Sequence, residues 1–142
     1  MEKNLIAKVS ISITAPNKKV WDALVDPEAI KQYFFGTTVV SDWHLGSPII
    51  WKGDWEGKPY EDKGVILQFD PERTIQYSHF SPLSGLPDKP ENYHTVTVKL
   101  SASEDQTIVS LSKDKNGSEV ERVHSEQNWG MMLVALKKFM EQ

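Results

Sequence analysis

The sequence predicts an α+β fold: an antiparallel sheet of about six to seven strands, helices at the two ends of the chain, and a long closing helix. Three observations carry that prediction. Leu5, Ala7, Val9, Ile11 and Ile13 occupy every second position, the period of a half-buried strand. From Gly36 to Ser112 the chain reads as consecutive strands separated by turns. The terminal stretch "SEVERVHSEQNWGMMLVALKKFMEQ" then changes to a helical pattern. Strands in unbroken succession favour antiparallel pairing, and helices gathered at the chain ends favour α+β over alternating α/β. A sheet of this width must twist and curl, and the terminal helix is the natural cover for its concave face.

The elements follow in order. After the first strand, "TAPNKKVWDAL" shifts to helical spacing, with Thr14 or Ala15 as cap and Pro16 in the first turn. Asp26-Pro27 restarts a second short helix, "DPEAIKQYF". "TTVVSDW", "IIWKGDW", "YEDKGVILQF", "TIQYSHF", "YHTVTVKLS" and "TIVSLSK" are the later strands. Ser118 with Glu121 fits a capping box for the last helix. "SPLSGLPDKPENYH" holds three prolines, too many for a helix or central strand, and is read as a long loop at the rim of a binding site.

The totals exclude several functions. The 142 residues suit one domain over the whole chain, with 39% apolar and 25% charged residues. A net charge of −4, with no basic patch, gives no reason to expect nucleic acid as a partner. The absence of Cys removes disulfide and thiol chemistry. No run approaches the roughly 18 apolar residues of a membrane span, and the alternating amino terminus is not a signal peptide. A cytoplasmic protein is the expectation. No phosphate-cradling glycine motif, nucleophile elbow or compact metal-ligand motif occurs, so no cofactor and no metal are expected.

Taken in sequence order, "ITAPNKKVWDALVDPEAIKQYF", Leu45-Gly46-Ser47, "KGVILQFDPERTIQYSH" and "NWGMMLVALKKFM" resemble the START-like (SRPBCC) superfamily, most closely the group named after the C-terminal domain of the activators of the heat-shock-protein-90 ATPase. The resemblance implies a helix-grip fold, a curved sheet around a long C-terminal helix with a cavity between them. It also implies a range of roles: binders of hydrophobic or lipid-like molecules, polyketide cyclases and dehydratases, and chaperone activators. No catalytic triad comes with it. The chain departs from the usual pattern in one place, since Asn128 precedes Trp129 and Gly130 follows it.

Candidate site residues come from alternation within that framework. With Trp129 facing the sheet, Met132, Leu133, Leu136 and Met140 form the core stripe of the last helix. The same stripe run backwards meets Ser125, Glu126 and Arg122. That polar part either overhangs the sheet or borders a wet cavity, because buried polar groups need partners. The opposite face carries Val120, Val123, Met131 and Val134, which points to a partner surface such as a homodimer contact. On the sheet, Tyr77 and His79 share a face, as do His94 and Val96, so the two histidines are expected close together. Trp51 and Trp55 point inward, with Trp43 nearby. Ligand contact is therefore assigned to Trp51, Trp55, Tyr77 and Met132 as apolar walls, and to His79, His94 and Arg122 as groups orienting a polar end. The leading function is binding of a hydrophobic or aromatic small molecule, lipid-like or polyketide-like. The alternatives are an enzyme on the same scaffold (cyclase, dehydratase or hydrolase) and a chaperone-associated module. The chain lacks the additional amino-terminal domain of the activators, which counts against a chaperone partner.

Overall fold

A computed structural model describes residues 5–55, 57–82 and 85–141, the side chain of Trp55 excepted. The strands are β1 (Leu5–Ile13), β2 (Thr38–Ser41), β3 (Pro48–Trp55), β4 (Lys58–Asp70), β5 (Thr74–His79), β6 (His94–Ser103) and β7 (Gln106–Asn116). The helices are α1 (Asn17–Val25), α2 (Pro27–Tyr33) and α3 (Glu119–Met140). The seven strands form one antiparallel sheet in the order β1-β7-β6-β5-β4-β3-β2, so the first strand pairs with the last and β2 forms the far edge. The expected α+β helix-grip architecture is the one observed.

The two short helices meet at Asp26. Its Oδ1 accepts from Glu28 N–H at 3.1 Å, and Pro27 opens α2, where its missing N–H costs nothing. At the start of α1 the expectation needs correcting. Neither Thr14 nor Ala15 caps the helix; Pro16 does, in extended conformation, and its carbonyl accepts from Lys19 N–H and Val20 N–H. Thr14 N–H instead donates to Glu141 Oε2 at the end of α3. α2 ends through Phe35 and Gly36, both with positive φ, and this turn throws Phe34 and Phe35 towards the open side of the sheet.

The core lies between the concave sheet face and the helices. Ile13, Ile49, Ile66, Val96 and Val109 from the sheet meet Val20, Leu133 and Leu136 from the helices, all fully buried. On β4, Gly64 is required by close approach, since a Cβ there would lie 1.7 Å from Ser78 O.

The polar part of α3 divides: Arg122 and Glu126 keep contact with solvent, and Ser125 turns inward. Ser125 is buried and donates to Asn116 Oδ1 at 2.8 Å. Asn116, itself 1% exposed, donates from Nδ2 to Leu5 O and Lys113 O. The helix thus sits on a polar knot whose members satisfy each other. Ser118 accepts from Glu121 N–H as expected, while Glu121 Oε2 reaches back to Gly117 N–H.

α3 also covers the free edge of β1. Glu126 accepts from Lys8 N–H, Lys137 donates to Ser12 O, and Glu141 accepts from Thr14 N–H. Three helix side chains therefore occupy main-chain groups that an exposed edge strand would offer to another chain.

Candidate functional site

A cavity of 430 Å³ opens between strands β3–β5, the α2–β2 turn and the middle of α3. Trp51 projects into it from β3 because it shares the buried face of the strand with Ile49, two residues before it. Asp62 is the register partner of Trp51 across the β3–β4 ladder and therefore points the same way. His79 ends β5 on the face of Ile75 and Tyr77. Opposite them, Phe34, Phe35 and Thr37 come from the turn after α2, and Trp129 and Met132 from α3.

Aromatic rings form most of the wall. Trp51 meets the His79 ring edge-to-face at 4.9 Å and the Tyr77 ring at 5.0 Å. Phe34 meets Trp129 edge-to-face at 5.7 Å. Tyr60 lies across Gly53, its register partner, where a Cβ would fall 2.7 Å from the phenol oxygen. That oxygen is 2.8 Å from Thr37 Oγ1, which ties β4 to the α2–β2 turn. Phe35 and Met131, 62% and 56% exposed, form apolar lips at the mouth.

The polar feature of the wall is a pair. His79 Nε2 and Asp62 Oδ2 are 2.9 Å apart, and both side chains are largely shielded from solvent. Asp62 Oδ1 and His79 Nδ1 are closed off from solvent and have no hydrogen-bond partner. With His79 neutral, Nε2–H donates to the carboxylate and Nδ1 keeps a bare lone pair; with His79 protonated, Nδ1–H is a donor without an acceptor. In either state a buried polar atom at the cavity wall goes unmatched, at a cost of about 1–3 kcal/mol.

The seven residues expected to form the site separate in the structure. Trp51, His79 and Met132 line the cavity. Tyr77 lies deeper, on a separate inner void of 50 Å³ that Trp51 and Met132 also border. There burial pushes its hydroxyl pKa well above the ordinary range. Trp55 belongs to β3, but its side chain lies outside the described residues.

His94 and His79 are register partners, so the two histidines are brought together as expected. His94, however, is not among the lining residues. Its Nδ1 is 2.9 Å from Asp114 O, and since a carbonyl only accepts, Nδ1 carries the proton. Burial, with help from the charges of Lys113 and His79, lowers its pKa and keeps it neutral. Arg122 does not join the histidines at all. It bridges Glu119 and Glu126 on its own helix, at 2.9 Å to each, because a long guanidinium side chain on a helix reaches carboxylates three and four residues away. The loop expected at the rim touches the cavity through Ser81, and is otherwise pinned by the Lys63–Asp88 ion pair and by Tyr93, which bonds Asp88 and stacks on Phe80.

Asp62 is the residue that sequence reasoning missed. "YEDKGVILQF" was legible as a strand, but apolar residues fall on both of its parities. A bulge between Ile66 and Gln68 then changes the phase. The available signal was Tyr60, Asp62, Gly64 and Ile66 on one face, with a carboxylate where a half-buried strand seldom places one. Among the described residues no group of three His, Cys, Asp or Glu side chains could hold a metal ion.

A profile described as Activator of Hsp90 ATPase homolog 1-like protein matches residues 14–141. The chain belongs to that family. A protein from Cytophaga hutchinsonii, solved in solution, is 60% identical over 99% of this chain and 97% of its own, with a TM-score of 0.87. CalU16 from Micromonospora echinospora is 23% identical, over 97% of this chain and 85% of its own, with a TM-score of 0.74. The Aha1 dimer from Colwellia psychrerythraea is 20% identical, over 96% of each chain, with a TM-score of 0.73. The last two likenesses show the shared START-like fold alone. No curated protein matches the chain. No helix among the described residues is long and apolar enough to cross a membrane.

Proposed function

We propose that this member of the Activator of Hsp90 ATPase homolog 1-like family binds a hydrophobic or aromatic small molecule between the curved sheet and α3. The observation that carries the reading is a 430 Å³ aromatic-walled cavity with one buried polar pair, Asp62–His79, in its wall. That volume lies in the range of small-molecule sites, and apolar walls with few polar groups are their usual make-up. Trp51, Trp129 and Met132 supply contact area, and Asp62 with His79 orients the polar end. Tyr77 acts from behind Trp51, shaping the wall rather than touching the ligand.

The test is a thermal-shift screen of aromatic and lipid-like compounds, with Trp emission as the second readout. A saturable rise in Tm is expected, equivalent to about 2.7 kcal/mol at a hundredfold excess over Kd. The rise should weaken in Met131→Lys, which places a charge at the exposed mouth without touching the core. A panel that moves neither Tm nor Trp emission sinks the reading.

The same Asp62–His79 pair favours a second reading, an acid–base enzyme on this scaffold. In this reading Asp62 holds the imidazole and His79 exchanges a proton with the bound molecule. Turnover that vanishes in His79→Ala while affinity persists would establish it, and affinity change without turnover would return the pair to a binding role. A homodimer is also consistent with the chain, since Val120, Val123, Met131 and Val134 are exposed along α3.

A further inference from the structure

The sign of charge at the cavity differs from the one the sequence suggested. Two histidines and an arginine would make a site for a carboxylate or phenolate. In the structure Arg122 is taken by Glu119 and Glu126, and His94 is a neutral donor to Asp114 O. What remains on the lining is acidic: Asp62 in the wall and Asp54 at the exposed rim, with no Lys or Arg among the described lining residues. Asp54 has no hydrogen-bond or ion-pair partner among the described residues. Lys113 feels the charge of Asp62, but it stands outside the lining and answers first to Glu121.

From this arrangement we infer that the cavity selects a cationic ligand, an amine carried on an aromatic or apolar body, and discriminates against carboxylates of the same shape. The inference rests on the binding reading above and names its ligand class. Three features support it. Asp62, held by His79 through Oδ2, places a carboxylate in the cavity wall. An ammonium group in the cavity carries the opposite charge, and the attraction between opposite charges strengthens as water is excluded. Trp51, Phe34 and Trp129 line the same cavity, and an aromatic ring attracts a cation over its face through its quadrupole, more strongly when water is excluded. A ligand carboxylate would instead meet the like charge of Asp62 with no Lys or Arg among the described lining residues to pair with, and a charge buried without a partner is heavily penalised.

The experiment uses the full chain and three matched probes near neutral pH: naphthylmethylamine, naphthylmethanol and naphthoate, titrated by Trp fluorescence and by calorimetry. The amine should bind at least about tenfold more tightly than naphthoate, with the alcohol between them. Asp62→Asn keeps an acceptor for His79 and removes the charge, and it should erase most of the amine's advantage over naphthoate. Asp54→Asn, at an exposed position that does not bear on folding, should reduce the advantage by a smaller factor. Equal affinity for the three probes, or an amine preference intact in both variants, overturns the charge inference and leaves the binding reading standing. Failure of all three probes to bind overturns both.

Discussion

At Asn116 one side-chain amide closes three gaps: the Leu5 carbonyl, the Lys113 carbonyl and the Ser125 hydroxyl. Its place at the end of β7, beneath the first turns of α3, explains how a helix with polar residues on its inward stripe can still pack. A polar group buried there is tolerable because every partner is also satisfied, and the converse predicts the cost of losing it. Asn116→Ala strands two carbonyls and a hydroxyl, and should cost about 1–3 kcal/mol, read as a lower urea midpoint with unchanged slope. Asp62 and His79 are the contrasting case, because their pair leaves an atom unmatched on each side. Both residues lie on the cavity lining.

Among the elements, α3 does the most. Its apolar stripe of Met132, Leu133 and Leu136 fills the sheet's concave face, its side chains blunt the β1 edge, and Trp129 with Met132 forms one wall of the site. The helix begins at Ser118, whose hydroxyl accepts from Glu121 N–H at 3.1 Å. Ser118→Ala should therefore lower stability by about 1 kcal/mol, measured by denaturant titration. Ligand affinity should hardly change, because the cap lies ten residues before the first side chain that α3 places on the cavity, Asn128. A large loss of affinity would show that the cap positions the site as well as the helix. Glu141 and Glu126 have lowered pKa values through their bonds to Lys137 and to Lys8 N–H respectively, so the grip of α3 on β1 weakens only in acid, as pH falls through those lowered values.

For the whole molecule, His94 sets a pH dependence in a milder range. Burial lowers its pKa in the folded chain below the ordinary 6.5. Above both values the two states are neutral and the group contributes nothing to stability. As pH falls below the unfolded value, the unfolded chain takes up the proton that the folded chain resists, and stability declines. The Tm should therefore fall between about pH 7 and pH 5, and His94→Gln should flatten that slope. A slope unchanged by the substitution would place the titrating group elsewhere.

The sequence by itself determined the elements, their order and the antiparallel sense of consecutive strands, because alternation with period two and a helical period of 3.6 are local properties; that β1 pairs with β7 it did not. Alternation also gave the expectation that Trp51 and His79 face inward, and both line the cavity. Tertiary structure alone decided the rest. The phase of β4, and with it the inward position of Asp62, is set by pairing with Trp51 and by the bulge after Ile66. The fate of Arg122 depended on two carboxylates within reach on its own helix, and that of His94 on a carbonyl across the ladder. These are distances between side chains, which periodicity does not encode, and they take Arg122 and His94 away from the cavity lining while Asp62 joins it.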